Sequence, residues 1–338
     1  MNILAIESSC DETAVAIVVD GRKVLCDCIA SQVDLHRIYG GVVPEIASRK
    51  HIEAIYPLAD EALKKAGLTR SDIDAVAVTY APGLIGAVLV GVNFAKAAAL
   101  ALNKPLIPVH HIRGHIAANY LAYQDLEPPF LCLVVSGGHT MIVDVQDYTR
   151  MEILGTTLDD AAGECFDKVG RVLGMPYPGG AALDKAAQLG DDQMYPLPRS
   201  KPGANPFDMS FSGLKTAALN LIHHAQQVGE ELDINSLCAS FCAAVSDNLV
   251  PRTMMALEKC GYKKLAVAGG VAANSRIRND ILNAAEKLGA TVYLPPLSLC
   301  GDNAAMIGSQ AYFEYISGNV ADMSLNAYAT KSILGETI

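Results

Sequence analysis

The chain has 338 residues, 51% apolar and 18% charged, enough to bury the core of two domains or of one large one. A formal net charge of −10 excludes a broad surface that coats nucleic acid, so RNA contact has to come from a local basic patch or from a partner. No apolar run reaches about 18 residues without polar interruption, and the first residues carry no basic, cleavable leader, so neither a membrane span nor a signal peptide is expected.

From the start, apolar runs at 2–7, 14–19 and 23–29 alternate with a polar turn at 7–13 and the tight pair Asp20-Gly21, predicting an antiparallel meander. The first turn, Glu7-Ser8-Ser9-Cys10-Asp11-Glu12-Thr13, packs three hydroxyls and three carboxylates between strands that read as buried. It is either a solvated turn or a loop that meets a nucleotide phosphate or its metal. Residues 44–67 read as a long helix stopped by Gly67, and 73–79 as a strand. A glycine-rich turn at 80–86 and an alanine-rich helix at 87–102 follow, ended by Lys104-Pro105. The order so far is βββαβαβα. At Pro128-Pro129 the pattern restarts with a strand at 130–135, the turn Ser136-Gly137-Gly138-His139-Thr140 and a strand at 141–145. Thr13 and Thr140 occupy equivalent places, so the chain reads as two lobes of like topology around a cleft.

Four stretches carry candidate chemistry. In Val109-His110-His111-Ile112-Arg113-Gly114-His115, the histidines 111 and 115 fall on one helix face at a spacing that can share a metal ion, or they merely cap and pack a helix start. Ser136-Gly137-Gly138-His139-Thr140 is either a plain glycine turn or a backbone nest for an anion, with Ser136 and Thr140 adding hydroxyls. Gly269-Gly270 at the entry to a helix over 275–288 can seat a ring or phosphate, yet it is neither a Walker A nor a GxGxxG sequence. Asp302, at the entry to an alanine-rich helix, is a helix cap or a third metal ligand; two histidines and a carboxylate suit iron or zinc and leave positions open. Nine scattered cysteines, mostly in apolar runs, read as buried reduced thiols.

These stretches, with Gly41-Val42-Val43-Pro44-Glu45, Phe166-Asp167-Lys168, Tyr177-Pro178-Gly179-Gly180 and Phe211-Ser212-Gly213-Leu214-Lys215-Thr216, resemble the universal family of tRNA threonylcarbamoyladenosine synthases of the bacterial TsaD type, long labelled O-sialoglycoprotein endopeptidase. The resemblance covers essentially the whole chain. It implies an α/β, duplicated two-lobe fold of the actin, sugar kinase and heat-shock ATPase (ASKHA) superfamily. The first lobe would be 1–126, with the histidine helix at its end. The second would be 127–338, with the phosphate loop, the nucleotide motif and the metal aspartate, its last helix a candidate to pack back on the first lobe. The implied reaction transfers threonylcarbamoyl from threonylcarbamoyl-adenylate to the exocyclic amine of the adenosine 3′ of the anticodon, in tRNAs reading codons that begin with A.

By position, the resemblance implies His111, His115 and Asp302 as ligands of one divalent metal, iron or zinc. It implies Val134, Val135, Ser136, Gly137 and Gly138 as the phosphate-side loop, and Asp167, Gly180, Asp184 and Asn274 as substrate or nucleotide contacts, with ATP or ADP as further occupants of the cleft. Implied partners are tRNA, a TsaB-like paralogue and a small TsaE-like ATPase, in the cytoplasm. Glu12, Asp11 and His139 are candidates for the general base by position only. An adenine amine is a poor nucleophile, so the enzyme has to activate the acyl donor and align the reactants.

Two rivals, and a weaker third, stand against this. A His-Glu-x-x-His protease needs a carboxylate beside the first histidine, where this chain has Ile112. A nucleotide-binding regulatory partner would lack the metal set. A sugar kinase shares the implied fold but needs no such histidines. The stretch 196–215, with Arg199, Lys201 and Lys215, reads as an exposed loop and a candidate tRNA surface, with Arg276, Arg278, Lys263 and Lys264 as further basic candidates.

Overall fold

The computed structural model describes residues 1–200 and 203–334 and divides the chain into two units: Met1–Pro128 with Gln146–Met151 and everything from Pro295 on, and Pro129–Val145 with Glu152–Leu294. Lys201 lies outside the described residues.

The first unit opens with strands β1 (Asn2–Glu7), β2 (Glu12–Val19) and β3 (Lys23–Ser31), paired as the expected antiparallel meander. The turn between β2 and β3 needs both of its residues left-handed, Asp20 at φ 48° and Gly21 at φ 69°, the pairing that matches strand twist in a two-residue hairpin. A short helix α1 (Val33–Arg37), which the sequence pattern did not announce, precedes α2 (Pro44–Ala66). Pro44 stands in the first turn of α2, and Gly67, at φ 67°, closes its last turn on the Leu63 and Lys64 carbonyls. Strand β4 (Ala75–Ala81), helix α3 (Ile85–Leu102), strand β5 (Leu106–His110) and helix α4 (His111–Ala122) complete this stretch, with β1, β4 and β5 parallel.

The second unit holds β6 (Phe130–Val135), β7 (Thr140–Val145) and β8 (Met151–Thr156), then α5 (Ala162–Val172), α6 (Gly179–Ala187), α7 (Ser212–Val228) and α8 (Ile234–Cys260), then β9 (Lys264–Ala268), α9 (Ser275–Lys287) and β10 (Thr291–Tyr293). The chain then returns to the first unit with α10 (Ala304–Ile316).

The two sheets run β3-β2-β1-β4-β5 and β10-β9-β6-β7-β8, the same order read from opposite ends. The expected duplication is therefore present, with β1 to β5 answering to β6 to β10. The register refines one detail. The last pair of the first hairpin is Glu7 with Ala14, and of the second Val135 with Thr140, so Thr140 answers to Ala14 and stands one place from Thr13. The two threonines still do similar work. Thr13 Oγ1 holds His51 of α2 at 2.7 Å, and Thr140 Oγ1 accepts from Ala162 N at the start of α5, so each pins the helix after its meander.

Both faces of the first sheet are covered, which is why its strands read as unbroken apolar runs. Leu4, Ile6, Val15 and Ile17 face α2 and α3, while Ile3, Ala5, Ala16 and Val18 face α10 and α4. At Gly308 of α10 an added Cβ would lie 2.6 Å from Val18 Cγ2, so the helix rests directly on the sheet. This apolar match explains a departure from expectation. The last helix belongs with the first unit, as the expectation allowed, but so do residues 295–303 with Asp302, which were expected in the second lobe over 127–338, and the 146–151 turn. Helix α3, with Asn93 and Lys96 inside it, has by length and composition alone what a membrane span would need. It is a core helix here, with Ala87, Val88, Gly91, Val92, Ala95 and Ala99 buried. All nine cysteines are free thiols, six of them buried.

Candidate metal centre and nucleotide-side turns

Strand β5 ends at His110 and α4 begins at the next residue, so the parallel sheet delivers the histidine pair to the end of its strands. His111 and His115 stand one turn apart with ring centroids 4.6 Å from each other. Their Nε2 atoms lie 3.5 and 3.2 Å from the same oxygen, Asp302 Oδ1. All three side chains offer a ligand atom within 4.8 Å of one another, so the set can hold one metal ion.

Three observations favour an ion over plain packing. His115 is 1% exposed, yet neither ring nitrogen makes a well-aligned hydrogen bond, its Nε2 meeting only the Asp302 carboxylate, and a buried imidazole so poorly satisfied is costly unless a ligand satisfies it. Asp302 is not the cap of α10, because Asn303 takes that role and accepts Met306 N at 2.8 Å. His111 is oriented from behind: Glu7, at the end of β1, accepts from its Nδ1 at 2.9 Å, which leaves Nε2 aimed at Asp302. Glu7 is fully buried and also takes Ser9 N and, at 2.6 Å, Thr79 Oγ1. Burial opposes charge at both members of the pair. The His111 charge and hydrogen bond nevertheless hold the Glu7 carboxyl below its usual range, and Asp302 and Glu7 lift His111 to about 9.

Of the base candidates in the same unit, Glu12 opens β2 with Oε1 accepting from Ser31 Oγ at 2.8 Å, while its buried Oε2 has no hydrogen-bond partner. Burial, with the Asp11 and Asp302 charges adding to it against the Ser31 bond, pushes its carboxyl up to about 7. Asp11 is buried beside it in the chain.

In the second unit, Ser136 to His139 form the β6–β7 turn. Ser136 N donates to His139 O at 2.8 Å and His139 N to Ser136 Oγ at 3.1 Å. Gly137 and Gly138 have open space where a Cβ would stand. Val134 and Val135 are fully buried strand residues, so only their main chain can serve a ligand. Both hydroxyls are engaged within the fold, Thr140 Oγ1 accepting from Ala162 N at the start of α5 and Ser136 Oγ bonded to the main chain of His139. Asp167 accepts from Gly180 N at 3.2 Å. Asp184 takes both Ser275 N and, at 2.8 Å, Ser275 Oγ, next to Asn274, which caps α9 through Ile277 N at 3.0 Å. The structure thus pairs Asp167 with Gly180, and brings Asp184 beside Asn274.

A family model described as tRNA N6-adenosine threonylcarbamoyltransferase, TsaD, matches residues 23–309. A relative of that name from Moorella thermoacetica is 56% identical over 326 residues, covering 96% of this chain and 95% of its own. One from Clostridium perfringens is 54% identical over 325 residues, covering 96% of each. The chain belongs to the TsaD family. Among solved structures, it is similar in fold to component A of (R)-2-hydroxyglutaryl-CoA dehydratase from Acidaminococcus fermentans, at a TM-score of 0.54 and 14% identity over 94% of this chain and 99% of that one. It is likewise similar to a full-length HypF in its phosphate- and nucleotide-bound form, at a TM-score of 0.62 and 14% identity over 94% of this chain and 46% of that one. The fold is the two-sheet α/β ASKHA type.

For this TsaD chain the basic candidates fare differently from expectation. Arg199 pairs with Asp247, Lys215 with Asp160, and Arg276 with both Asp192 and Asp280. Lys263 Nζ and Arg278 Nη1 donate to the Leu288 and Ala272 carbonyls. Each of these has an intramolecular partner, Arg199 in an exposed pair. Conversely, the orienting role of Glu7 was missed. Its signal was a glutamate closing an otherwise apolar buried strand.

The second-unit turn is sensitive to one methyl group. A Cβ on Gly163, at the start of α5, would meet Ser136 O at 2.5 Å and Gly137 Cα at 2.8 Å, both main-chain atoms that cannot swing away. Gly163→Ala is expected to cost about 1–3 kcal/mol and to weaken adenine-nucleotide binding. Gly213→Ala, with open space at its Cβ near the start of α7, is expected to be neutral or to gain about 0.4–1 kcal/mol. Thermal melts and nucleotide titration of both variants check this.

Proposed function

We propose that this chain transfers the threonylcarbamoyl group from threonylcarbamoyl-adenylate to the exocyclic amine of the adenosine 3′ of the anticodon in tRNAs reading codons that begin with A. The observation that carries the reading is the His111–His115–Asp302 cluster, with both histidines buried and His111 oriented by Glu7, in a chain that matches TsaD relatives along nearly its whole length. In the transfer the adenine nitrogen attacks the carbamoyl carbon, the bond from that carbon to the adenylate phosphate oxygen breaks, AMP leaves, and the amine gives up a proton.

His111, His115 and Asp302 would hold one divalent ion, Fe2+ or Zn2+. When bound, the ion supplies Lewis acidity toward donor oxygens on which charge develops. The main chain of residues 134–138 and the Ser136 hydroxyl would take a phosphate. Asp167, Gly180, Asp184 and Asn274 would contact the nucleotide side of the donor, and ATP or ADP would compete for the same groups. Among the base candidates Glu12, Asp11 and His139, the unpartnered buried oxygen of Glu12 supports Glu12 as proton acceptor. A protease reading is disfavoured because Glu7, the carboxylate on His111, is spent on Nδ1 and two further donors.

Action on tRNA places the enzyme in the cytoplasm in this reading. Its partners would be a TsaB-like paralogue and a TsaE-like ATPase. The exposed apolar residues Ile52 and Tyr56 on α2, with Ile85 and Leu89 on α3, support a protein partner on the first unit. The partner would also supply basic surface that this acidic chain lacks.

The test is transfer of labelled threonylcarbamoyl from the pre-formed adenylate to unmodified tRNA, with and without the paralogue, metal-loaded and metal-stripped. Label on the anticodon-loop adenosine that depends on metal is the expected result. Label that survives stripping would reduce the ion to a structural part, and no label under any condition would favour a nucleotide-binding regulator.

A further inference from the structure

After α10 the chain runs as an irregular strap, residues 317–334, back across the ends of the strands that carry the metal centre. Ala321 N donates to Leu106 O, Tyr328 N to Tyr80 O, and Gly83 N to Ala329 O. The strap then reaches the first turn of α4. His110 Nε2 lies 3.1 Å from Lys331 O, while its Nδ1 accepts from Ile112 N, so one neutral tautomer serves both contacts. Arg113 sends Nε and Nη2 to Ile333 O at 3.1 and 2.9 Å, and Nη1 to Glu314 of α10 at 2.9 Å.

Arg113 stands two positions after His111, roughly 200° around the helix, on the face opposite the ligands. One buried guanidinium therefore ties together α4, which carries His111 and His115, α10, which begins just after Asp302, and the strap. The middle of the strap is packed, with Leu325 and Ala327 buried in the core beside Leu106 and Val76, whereas its last stretch, 328–334, sends only Ile333 into the interior. The strap borders a cavity of about 720 Å³ lined by Tyr80, Arg113, Glu314, Asn319, Tyr328 and Ser332 among others. The hold of this last stretch rests on these polar grips, on buried Ile333, and on Lys331, whose Nζ lies 5.2 and 4.7 Å from the Tyr80 and Tyr328 ring centroids.

We propose that the strap is a clamp on the metal helix, and that Arg113 and His110 are positioning residues that hold His111 and His115 in register with Asp302, so that releasing the strap weakens metal binding without unfolding the unit. The proposal rests on the metal reading of these three residues. Supporting groups behind metal ligands commonly set affinity over about 10–100-fold.

The experiment titrates Co2+ and Zn2+ against a chromophoric chelator in the full chain and in Arg113→Lys and Ile333→Asp. Arg113→Lys keeps a charge for Glu314 but loses the fork on Ile333 O, and Ile333→Asp expels the strap. The Co2+ visible spectrum reports ligand geometry, trypsin cleavage after Lys331 reports strap release, and melting of the metal-free protein reports stability. We expect both variants to bind Co2+ and Zn2+ about tenfold or more weakly, with an altered Co2+ spectrum, faster cleavage at Lys331 and an affinity loss well beyond what any fall in the metal-free melting midpoint accounts for. Faster cleavage with unchanged affinity would overturn the clamp. So would an affinity loss that merely follows a fallen metal-free midpoint, which would make Arg113 an ordinary packing residue. Ile333→Ala replaces Ile333→Asp if the latter does not fold. If the unaltered chain binds neither ion, the metal reading itself fails, which is a separate outcome.

Discussion

Replacing His115 or Asp302 with alanine is expected to abolish stoichiometric binding of a divalent ion and to lower threonylcarbamoyl transfer by about a thousandfold. The magnitude follows from the several kcal/mol that a Lewis acid supplies to a transition state that gathers charge, at about 1.4 kcal/mol per tenfold. The informative comparison is with the neighbour. Asn303→Ala removes the cap of α10, whose side chain accepts Met306 N, and is expected to cost about 1 kcal/mol of stability while the metal still binds. If Asp302 were only a helix-entry residue, the two substitutions would behave alike, both lowering the melting midpoint and neither touching metal content. Metal analysis of the purified variants, with melts in chelator, separates the cases. His115 sharpens the test, because its ring nitrogens have no well-aligned hydrogen bond to lose. Without metal, His115→Ala should change stability only through the volume it removes and the Asp302 contact it gives up.

What the sequence reveals of this molecule, and what it hides, divides along the range of the interactions. Strand periodicity, Asp20-Gly21 and the Pro44 and Gly67 boundaries are local signals, and the structure has a strand, a hairpin or a helix end at each. The duplication was legible because each half repeats meander, helix and parallel strands in the same order. His111 and His115 were legible because their spacing is set by the helix itself. Asp302 was left open between cap and ligand, since the assignment depends on Asn303 taking the cap and on α10 lying against the first sheet. The return of residues from Pro295 to the first unit is a matter of which apolar faces match, here Ala304, Ala305 and Ile307 against Ile3, Ala5 and Val18. No motif records that. The basic residues Arg199 and Lys215 looked available because their carboxylate partners lie 48 and 55 positions away in the chain, whereas one of the two partners of Arg276, Asp280, lies only one helical turn on.

Glu7→Gln is expected to weaken metal binding by about 10–100-fold although it removes no ligand. The carboxylate is an acceptor at every point of contact. One oxygen takes Ser9 N, and the other takes Thr79 Oγ1 and His111 Nδ1. A glutamine of the same shape has a single acceptor oxygen and an amide that can only donate. Turned with its oxygen toward His111 and Thr79, it sets its NH2 against the Ser9 N–H. Turned the other way, it donates to His111 Nδ1 and drives the ring into the tautomer with the proton on Nε2, the atom that faces Asp302. Either arrangement spoils the site, by strain behind the ligand or by a proton on the ligating nitrogen. Thr79→Val makes the control. It removes one donor from the same oxygen at a cost of about 1 kcal/mol but leaves the carboxylate and its bond to His111. Metal affinity in Thr79→Val should therefore stay close to that of the unaltered chain, and in Glu7→Gln it should fall, with the Co2+ spectrum altered only in the latter. Equal affinities in the two variants would mean that Glu7 merely fills space at the end of β1, and that His111 is held by the fold alone.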